Sequence, residues 1–365
     1  MMKIIFHLNC LEQGGSERVV TNLAHQFAGE GYEVIITTQW IGENEFVLQD
    51  NIRRVNLGLR ENDKNKNRIT QYLLRIKYLR EFIKIEKPDI VIAFMKKANY
   101  RAVQATMFTN IPALISVRMD PVGHYDSIVD RIQTTLLFNR AKGIVFQTEG
   151  QRGFFSKNIQ KGSKIILNPI NDKYLGRDSV AERSKVIMHS GRLVDFKNQI
   201  NLITAFSKIK SIYSEYTLKL FGGDSFDGTK EILEAYIKEN GLEDSVKLMG
   251  ASDNLAEEME SGAFYVFTSD WEGLPNALLE AMAIGMPVIA TDCPCGGPGT
   301  VIRHKENGYL IPIKDVDAIV EAMEYFIQNQ NEVNQYGIEA RKISEIANGD
   351  TVFRQWKEYI DEICG

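Results

Sequence analysis

Residues 263–290 read AFYVF, TSDWEGLPN, ALLEAMAIG, MPVIA. An apolar run of strand length, 263–267, enters a polar loop. A nine-residue helical segment, 276–284, follows, and a second apolar run closes the stretch at 286–290. Pro275 suits the first turn of that helix and Gly285 its carboxyl-terminal stop. Short apolar strands on either side of a helix imply a βαβ unit whose parallel strands are buried on both faces.

The same alternation extends in both directions. Candidate strands are 3–9, 33–38, 89–94, 113–117 and 143–147, then 164–167, 185–190, 216–221, 245–249, 263–267 and 286–290. Helical patterns lie between them, among them 16–29, 69–86, 197–213, 228–240 and 315–328. Two such series predict an α/β protein with two doubly wound domains. The break falls at Asn168-Pro169-Ile170, before the polar stretch 171–184. The domains are therefore expected at 1–168 and 169–348. A last helix at 349–365, carrying Trp356, comes after the second series and is expected to return to the first domain.

Open α/β sheets place ligands at the carboxyl ends of their strands. The loop after 263–267 carries Glu272, and Glu280 follows eight residues later inside the helix. Glu280 is flanked by Leu278, Leu279, Ala281 and Met282, which predicts a buried, partnered acid rather than a solvated one. A carboxylate there accepts both hydroxyls of a ribose, one in the loop accepts sugar hydroxyls, and the helix N-terminus between them suits a diphosphate. The set fits a nucleotide sugar. Gly191-Arg192-Leu193 follows strand 185–190, with Lys197 beyond it. Arg offers a planar fork to phosphate and Lys a mobile charge; the plain alternative is a surface loop with two cations. Gly14-Gly15-Ser16-Glu17-Arg18 stands between the first strand and the first helix. It is either a close backbone approach to a ligand or a tight turn with a Ser cap.

The chain has 365 residues, 44% hydrophobic and 25% charged, the profile of a globular protein. No apolar run reaches the ~20 residues of a membrane-spanning helix, and MMKIIFHLN lacks the layout of a secretory signal peptide. Four cysteines without a CxxC pair indicate neither a disulfide scaffold nor a zinc site. Asp315-Val316-Asp317 reads as a helix cap rather than a metal motif, and the five histidines show no metal spacing. Residues 1–170 hold 24 basic and 16 acidic residues, and the remainder 19 and 32. Eleven of the basic residues fall in 53–87, where Arg75, Lys77, Arg80 and Lys84 share one helical stretch. That stretch is either a solvated face or a docking face for anionic lipid. A pI near 5.7 argues against a dedicated nucleic-acid binder.

The early GGxER loop, Asn-Pro-Ile, Gly-Arg-Leu with its Lys, EGLPNALLEAMA and GxPVIATDCPCGGP together resemble the retaining glycosyltransferases of the GT-B fold, family 4. The resemblance runs the whole length, and the last two blocks are its most specific. It implies two Rossmann-like domains facing a cleft, donor binding mainly by the second, and a C-terminal helix packed on the first. Matched residue by residue, it implies that Arg192 and Lys197 contact the donor diphosphate. Glu280 then holds the ribose and Glu272 the sugar, Gly273, Leu274, Asn276 and Leu278 line the donor site, and Gly15 faces it from the other domain. Many members carry a His after a first-domain strand. Here Arg118-Met119-Asp120-Pro121 stands there, so Asp120 joins Arg192, Lys197 and Glu272 as a catalytic candidate, with Arg118, Asp120 and Asn99 on the acceptor side. An acid common after Gly296-Gly297-Pro298 is replaced by Gly299-Thr300-Val301.

The function expected from this resemblance is sugar transfer from a nucleotide sugar, UDP-linked by the commonest pattern, to a hydroxyl of a lipid-linked glycan. Neither metal nor other cofactor is expected. The location expected is the cytoplasm, with the inner face of the membrane as a docking plane. A nucleotide-sugar epimerase of the same architecture and a non-catalytic nucleotide-sugar binder are the alternatives.

Overall fold

The computed structural model describes residues 1–12, 14–177 and 183–365. Part of the polar stretch 171–184 lies outside the described residues. The chain divides into two compact units: Met1–Asn168 with Gly349–Gly365, and Pro169–Asn348.

Unit 1 contains β1 (Lys3–His7), β2 (Glu33–Thr38), β3 (Ile52–Asn56), β4 (Ile90–Phe94), β5 (Ala113–Ser116), β6 (Gly143–Phe146) and β7 (Lys164–Ile165). They form one sheet in the order β3-β2-β1-β4-β5-β6-β7, with every pairing parallel. Unit 2 contains β8 (Val186–Ser190), β9 (Thr217–Phe221), β10 (Val246–Gly250), β11 (Phe264–Phe267), β12 (Val288–Thr291) and β13 (Tyr309–Ile311). Its order is β10-β9-β8-β11-β12-β13, again parallel. Both are doubly wound Rossmann-like sheets. The strand order reverses between β1 and β4 in unit 1 and between β8 and β11 in unit 2, which are the ligand-binding crevices of such sheets.

Two strands lie outside the expected series, the edge strands β3 and β13. β3 has the sequence IRRVN and only Ile52 is buried. It is an edge strand, so its half-solvated face tolerates the two arginines that hide it from an apolar pattern. The expected strand 164–167 shrinks to the two residues of β7.

Strand periodicity sends Ile4 and Phe6 to one face of the unit 1 sheet and Ile5 to the other, all fully buried. Helix Gly15–Gly29 and the terminal helix Gly349–Cys364 cover the first face. Helices Arg68–Glu86 and Lys96–Thr106 cover the second. The terminal helix is amphipathic and inserts Val352, Phe353, Trp356, Tyr359 and Ile360. Trp356 is fully buried and stacks on Phe94 with ring centroids 5.4 Å apart. The Tyr359 hydroxyl accepts from the Ile144 amide at 2.9 Å, tying the helix to β6.

Burial of this indole makes a specific demand on stability. Trp356→Ala should cost about 3–5 kcal/mol, the usual range for deleting a buried aromatic. Denaturant unfolding of the full chain measures it, and a loss under about 1 kcal/mol would show that the helix adds little to unit 1.

Candidate functional site

Three loops of unit 2 meet at the reversal between β8 and β11. After β8 the chain passes through Gly191 and Arg192 into the turn Asp195–Lys197 and helix Gln199–Lys210. After β11 it runs through Ser269–Pro275 into helix Asn276–Ile284. The first two loops are laced together. Asp270 N donates to the Phe196 carbonyl at 2.8 Å, Asn198 Nδ2 to Asp270 Oδ1 at 2.9 Å, and Thr268 Oγ1 to the Lys197 carbonyl at 3.0 Å. Phe196 and Trp271 stack with centroids 4.0 Å apart. Lys197 Nζ forms an ion pair with Glu272 Oε1, both side chains being mostly buried.

The third loop, after β12, holds the second from behind. Thr291 Oγ1 and the Cys293 thiol both donate to the Ser269 carbonyl, at 2.7 and 3.0 Å, and the Cys295 thiol donates to the Glu272 carbonyl at 3.0 Å. Burial pushes the Cys293 thiol up to about 12, so it stays protonated and remains a donor. The CPC segment thus acts as a backbone clasp, a role its spacing did not announce. Two glycines are sterically required. A Cβ on Gly297 would sit 1.9 Å from the Gly273 carbonyl oxygen, and one on Gly222 would sit 1.9 Å from that of Gly191. Where the usual acid is replaced by Gly299, the Asp292 carboxylate stands close, 2.9 Å from the position of a Gly299 Cβ.

Helix Asn276–Ile284 has the bounds the sequence suggests. Pro275 is its cap residue, and no side chain caps it. The first-turn amides of Asn276, Ala277 and Leu278 therefore have no acceptor within the helix. Gly285 ends it with a left-handed φ of 82°. Glu280 is 5% exposed, matching the expectation of a buried acid. It and Glu272 add to burial in driving the Tyr265 hydroxyl far above its ordinary range, while Tyr265 donates to the Ser190 carbonyl at 2.9 Å. Gly273 and Leu274 are buried in the loop and Leu278 in the helix. Arg192 is exposed, and among the described residues its guanidinium makes no hydrogen bond or ion pair. Arg192, Lys197, Glu272, Asn276 and Glu280 thus collect around one crevice of one unit.

In unit 1, Gly15 is exposed and opens helix Gly15–Gly29 behind Gly14, which caps it without a side-chain bond. Ser16 is no cap: its hydroxyl donates to Met95 Sδ at 3.3 Å. Arg118 is buried, donates to Asn168 Oδ1 at 2.7 Å and lies over the Phe94 and Trp356 rings. Burial lowers its guanidinium to about 9. Asp120 is 3% exposed and its Oδ1 accepts from the Val122 amide at 3.0 Å. Asn99, expected on the acceptor side, has a structural bond. It is fully buried and donates to the Ser116 carbonyl at 2.8 Å, so it ties a helix to β5. The basic helix is also less of a docking face than its sequence suggests. Arg75 Nη1 donates to Gln39 Oε1, and Arg80 donates to the carbonyls of Gln104 and Ala105, leaving Lys77 and Lys84 exposed.

Asp315 caps its helix by accepting from the Ala318 amide at 2.9 Å, and Asp317 pairs with Lys208. Among the described residues no three His, Cys, Asp or Glu side chains gather as a metal set, and no helix is long and apolar enough to cross a membrane.

Two family models tile the chain. One described as Glycosyltransferase Family 4 matches residues 13–173, and one described as Glycosyl transferases group 1 matches 173–343. An uncharacterized glycosyltransferase of Haemophilus influenzae is 26% identical over 98% of this chain and 99% of its own length. A Campylobacter jejuni GalNAc-α-(1→4)-GalNAc-α-(1→3)-diNAcBac-PP-undecaprenol α-1,4-N-acetyl-D-galactosaminyltransferase is 22% identical over 100% and 99%. The crystal structure of Anabaena HepE with UDP and glucose superposes with a TM-score of 0.82 at 18% identity, covering 99% of this chain and all of that one. At that identity the likeness shows the fold.

His189 sits at the floor of the unit 2 crevice, fully buried. Its Nδ1–H donates to the Val266 carbonyl at 2.8 Å, leaving Nε2 as a buried lone pair near Gly191. Burial chiefly, aided by the charge of Lys197, lowers it from 6.5 to about 4. Between those values the unfolded chain binds the extra proton, so stability must fall as pH drops from about 6.5 towards 4, by up to about 3 kcal/mol. His189→Asn keeps a donor towards Val266 and cannot titrate in this range. Urea midpoints between pH 7 and 4.5 should therefore fall less in the variant than in the wild type, and equal slopes would remove His189 from the acid sensitivity.

Proposed function

The chain belongs to the family 4-like glycosyltransferases of the GT-B fold, and on that premise we propose a retaining enzyme that moves a sugar from a UDP-linked donor to a hydroxyl of a lipid-linked glycan. The observation that carries this reading is the unit 2 crevice. There an uncapped helix N-terminus lies between a loop carboxylate, Glu272, and a buried carboxylate, Glu280, with Lys197 and Arg192 beside them. The UDP and glucose in HepE support the donor class, and the undecaprenyl diphosphate in the name of the Campylobacter relative supports the acceptor class. The sugar is a hexose or an N-acetylhexosamine.

In this reading Glu280 accepts the ribose hydroxyls, and the amides of Asn276 and Leu278 meet the diphosphate. Arg192 and Lys197 meet the charge that grows on the leaving phosphate, and Glu272 orients the sugar. The acceptor oxygen bonds to the anomeric carbon as the bond to the diphosphate breaks, on the same face. The departing phosphate oxygen takes the hydroxyl proton, so no protein nucleophile is needed. Unit 1 supplies the acceptor residues, Arg118 and Asp120 among them. Because cations and amides meet the leaving charge, no metal is required. Helix Arg68–Glu86 would dock reversibly on anionic lipid through Lys77, Lys84 and the exposed Ile69 and Leu73, on the inner side of the cytoplasmic membrane.

The clean test is Arg192→Ala, because this side chain supports nothing else in the fold. It should lower kcat/KM by roughly 10²–10³, as for loss of a dedicated transition-state donor; near-normal transfer would refute its role. Transfer should also persist in excess EDTA. Complete loss that Mn²⁺ or Mg²⁺ restores would overturn the metal-independent mechanism.

A further inference from the structure

Unit 1 has its own crevice, where the sheet order reverses between β1 and β4. His7 ends β1 and Asn9 follows it, Gln39 follows β2, and Arg101 lies in the helix after β4. Arg75 reaches in from helix Arg68–Glu86.

Arg101 is 4% exposed. Its Nε donates to His7 Nε2 at 3.2 Å and its Nη2 to Asn9 Oδ1 at 2.6 Å. His7 is therefore the Nδ1–H tautomer, donating to Thr37 Oγ1 at 2.9 Å, and it is held neutral by burial and by the charge of Arg101. Arg75 Nη1 donates to Gln39 Oε1 at 2.7 Å, which fixes the orientation of that amide. Gln39 is 3% exposed, and its Nε2 is a buried donor with no acceptor.

Every partner of the two guanidiniums is neutral. Among the described residues neither Arg75 nor Arg101 has a carboxylate within ion-pair distance. The charge felt by Arg101 from its surroundings includes the repulsion of Arg75, which joins burial in lowering it to about 10. Buried charges are ordinarily paired, because an unpaired one keeps its full desolvation cost. This crevice concentrates two cations and an idle amide donor and supplies no anion.

We propose that Arg75, Arg101 and Gln39 form a phosphate site in unit 1 that takes the phosphate or diphosphate of the acceptor. This rests on the reading of unit 1 as the acceptor side. Guanidinium forks match phosphate oxygens, and an amide N–H adds a third directed bond. The site is separate from the unit 2 donor residues and selects acceptors by the charge at the glycan's reducing end. A lipid diphosphate and a soluble glycosyl phosphate share that chemistry.

The probe is inorganic pyrophosphate, titrated calorimetrically into the full chain at constant ionic strength. Arg192→Ala with Lys197→Ala serves as the background, to silence the unit 2 phosphate contacts. One saturable site is expected there. Adding Arg75→Gln should weaken it at least ten-fold. Adding Gln39→Glu, which builds an internal carboxylate into the crevice, should weaken it equally and raise the thermal midpoint. No saturable binding in the background, or unchanged binding in both variants, overturns the site. This measurement needs no turnover, so it is decided independently of the transferase reading. With unit 2 intact, Arg75→Gln should raise KM at least ten-fold for a diphosphate-linked lipid acceptor while leaving donor KM unchanged. An equal rise for a glycosyl phosphate without lipid assigns recognition to the phosphate alone. An unchanged acceptor KM in the face of lost pyrophosphate binding overturns the acceptor assignment.

Discussion

A parallel sheet covered by helices on both faces leaves almost no place for a polar side chain. In β1 the residues Ile4, Ile5 and Phe6 point to alternate faces and all are fully buried. Lys3 opens the strand at one rim, and the next polar side chain is His7, at its carboxyl end. β8 obeys the same constraint, with Ile187 and Met188 in the core and His189 and Ser190 at the carboxyl end. In the central strands polar chemistry is expelled to the strand ends. It collects where strand order reverses, because there the connecting helices leave on opposite faces and the rim opens. The two crevices follow from this exclusion.

Each unit handles the resulting charge differently. Unit 2 pairs it: Lys197 and Glu272 neutralise one another in a loop held by backbone and thiol hydrogen bonds, and Arg192 is left in water. The lacing of Phe196, Asn198 and Asp270 holds that pair in place. Unit 1 instead buries guanidiniums among neutral groups. Arg118 is held by Asn168 and by the faces of Phe94 and Trp356, and Arg101 by His7 and Asn9. Cation–π contacts and neutral acceptors offset part of the desolvation cost, without a carboxylate. The terminal helix takes part, because Trp356 fills the face of the sheet and also floors the Arg118 pocket.

Close packing of the loops explains the glycines better than flexibility does. Gly222 and Gly297 each lie where any Cβ would strike a neighbouring carbonyl oxygen. The Gly297 contact lets the loops after β11 and β12 approach closely enough to share hydrogen bonds through Cys293 and Cys295, and the Gly222 contact seats the turn after β9 against Gly191.

Much of this was legible in the sequence, for a physical reason. Strands buried on both faces must be short and wholly apolar, and the intervening helices must carry caps and stops, so the α/β class and the two strand series are written locally. Glu280 was legible because an acid among Leu278, Leu279, Ala281 and Met282 has few places to go but inside. β3 was not, because an edge strand needs only one buried residue. The bond from Asn99 to the Ser116 carbonyl was not legible either, because the neighbours of Asn99 in sequence say nothing of that carbonyl. The cluster of His7, Asn9, Gln39, Arg75 and Arg101 lay beyond any motif. Its members come from two strand ends and two helices far apart in the chain, and only the parallel order of β2, β1 and β4 brings them to one rim. Spacing along the chain reports what one helix or loop presents, whereas the balance of charge in a buried crevice is set by residues that only the folded sheet makes neighbours.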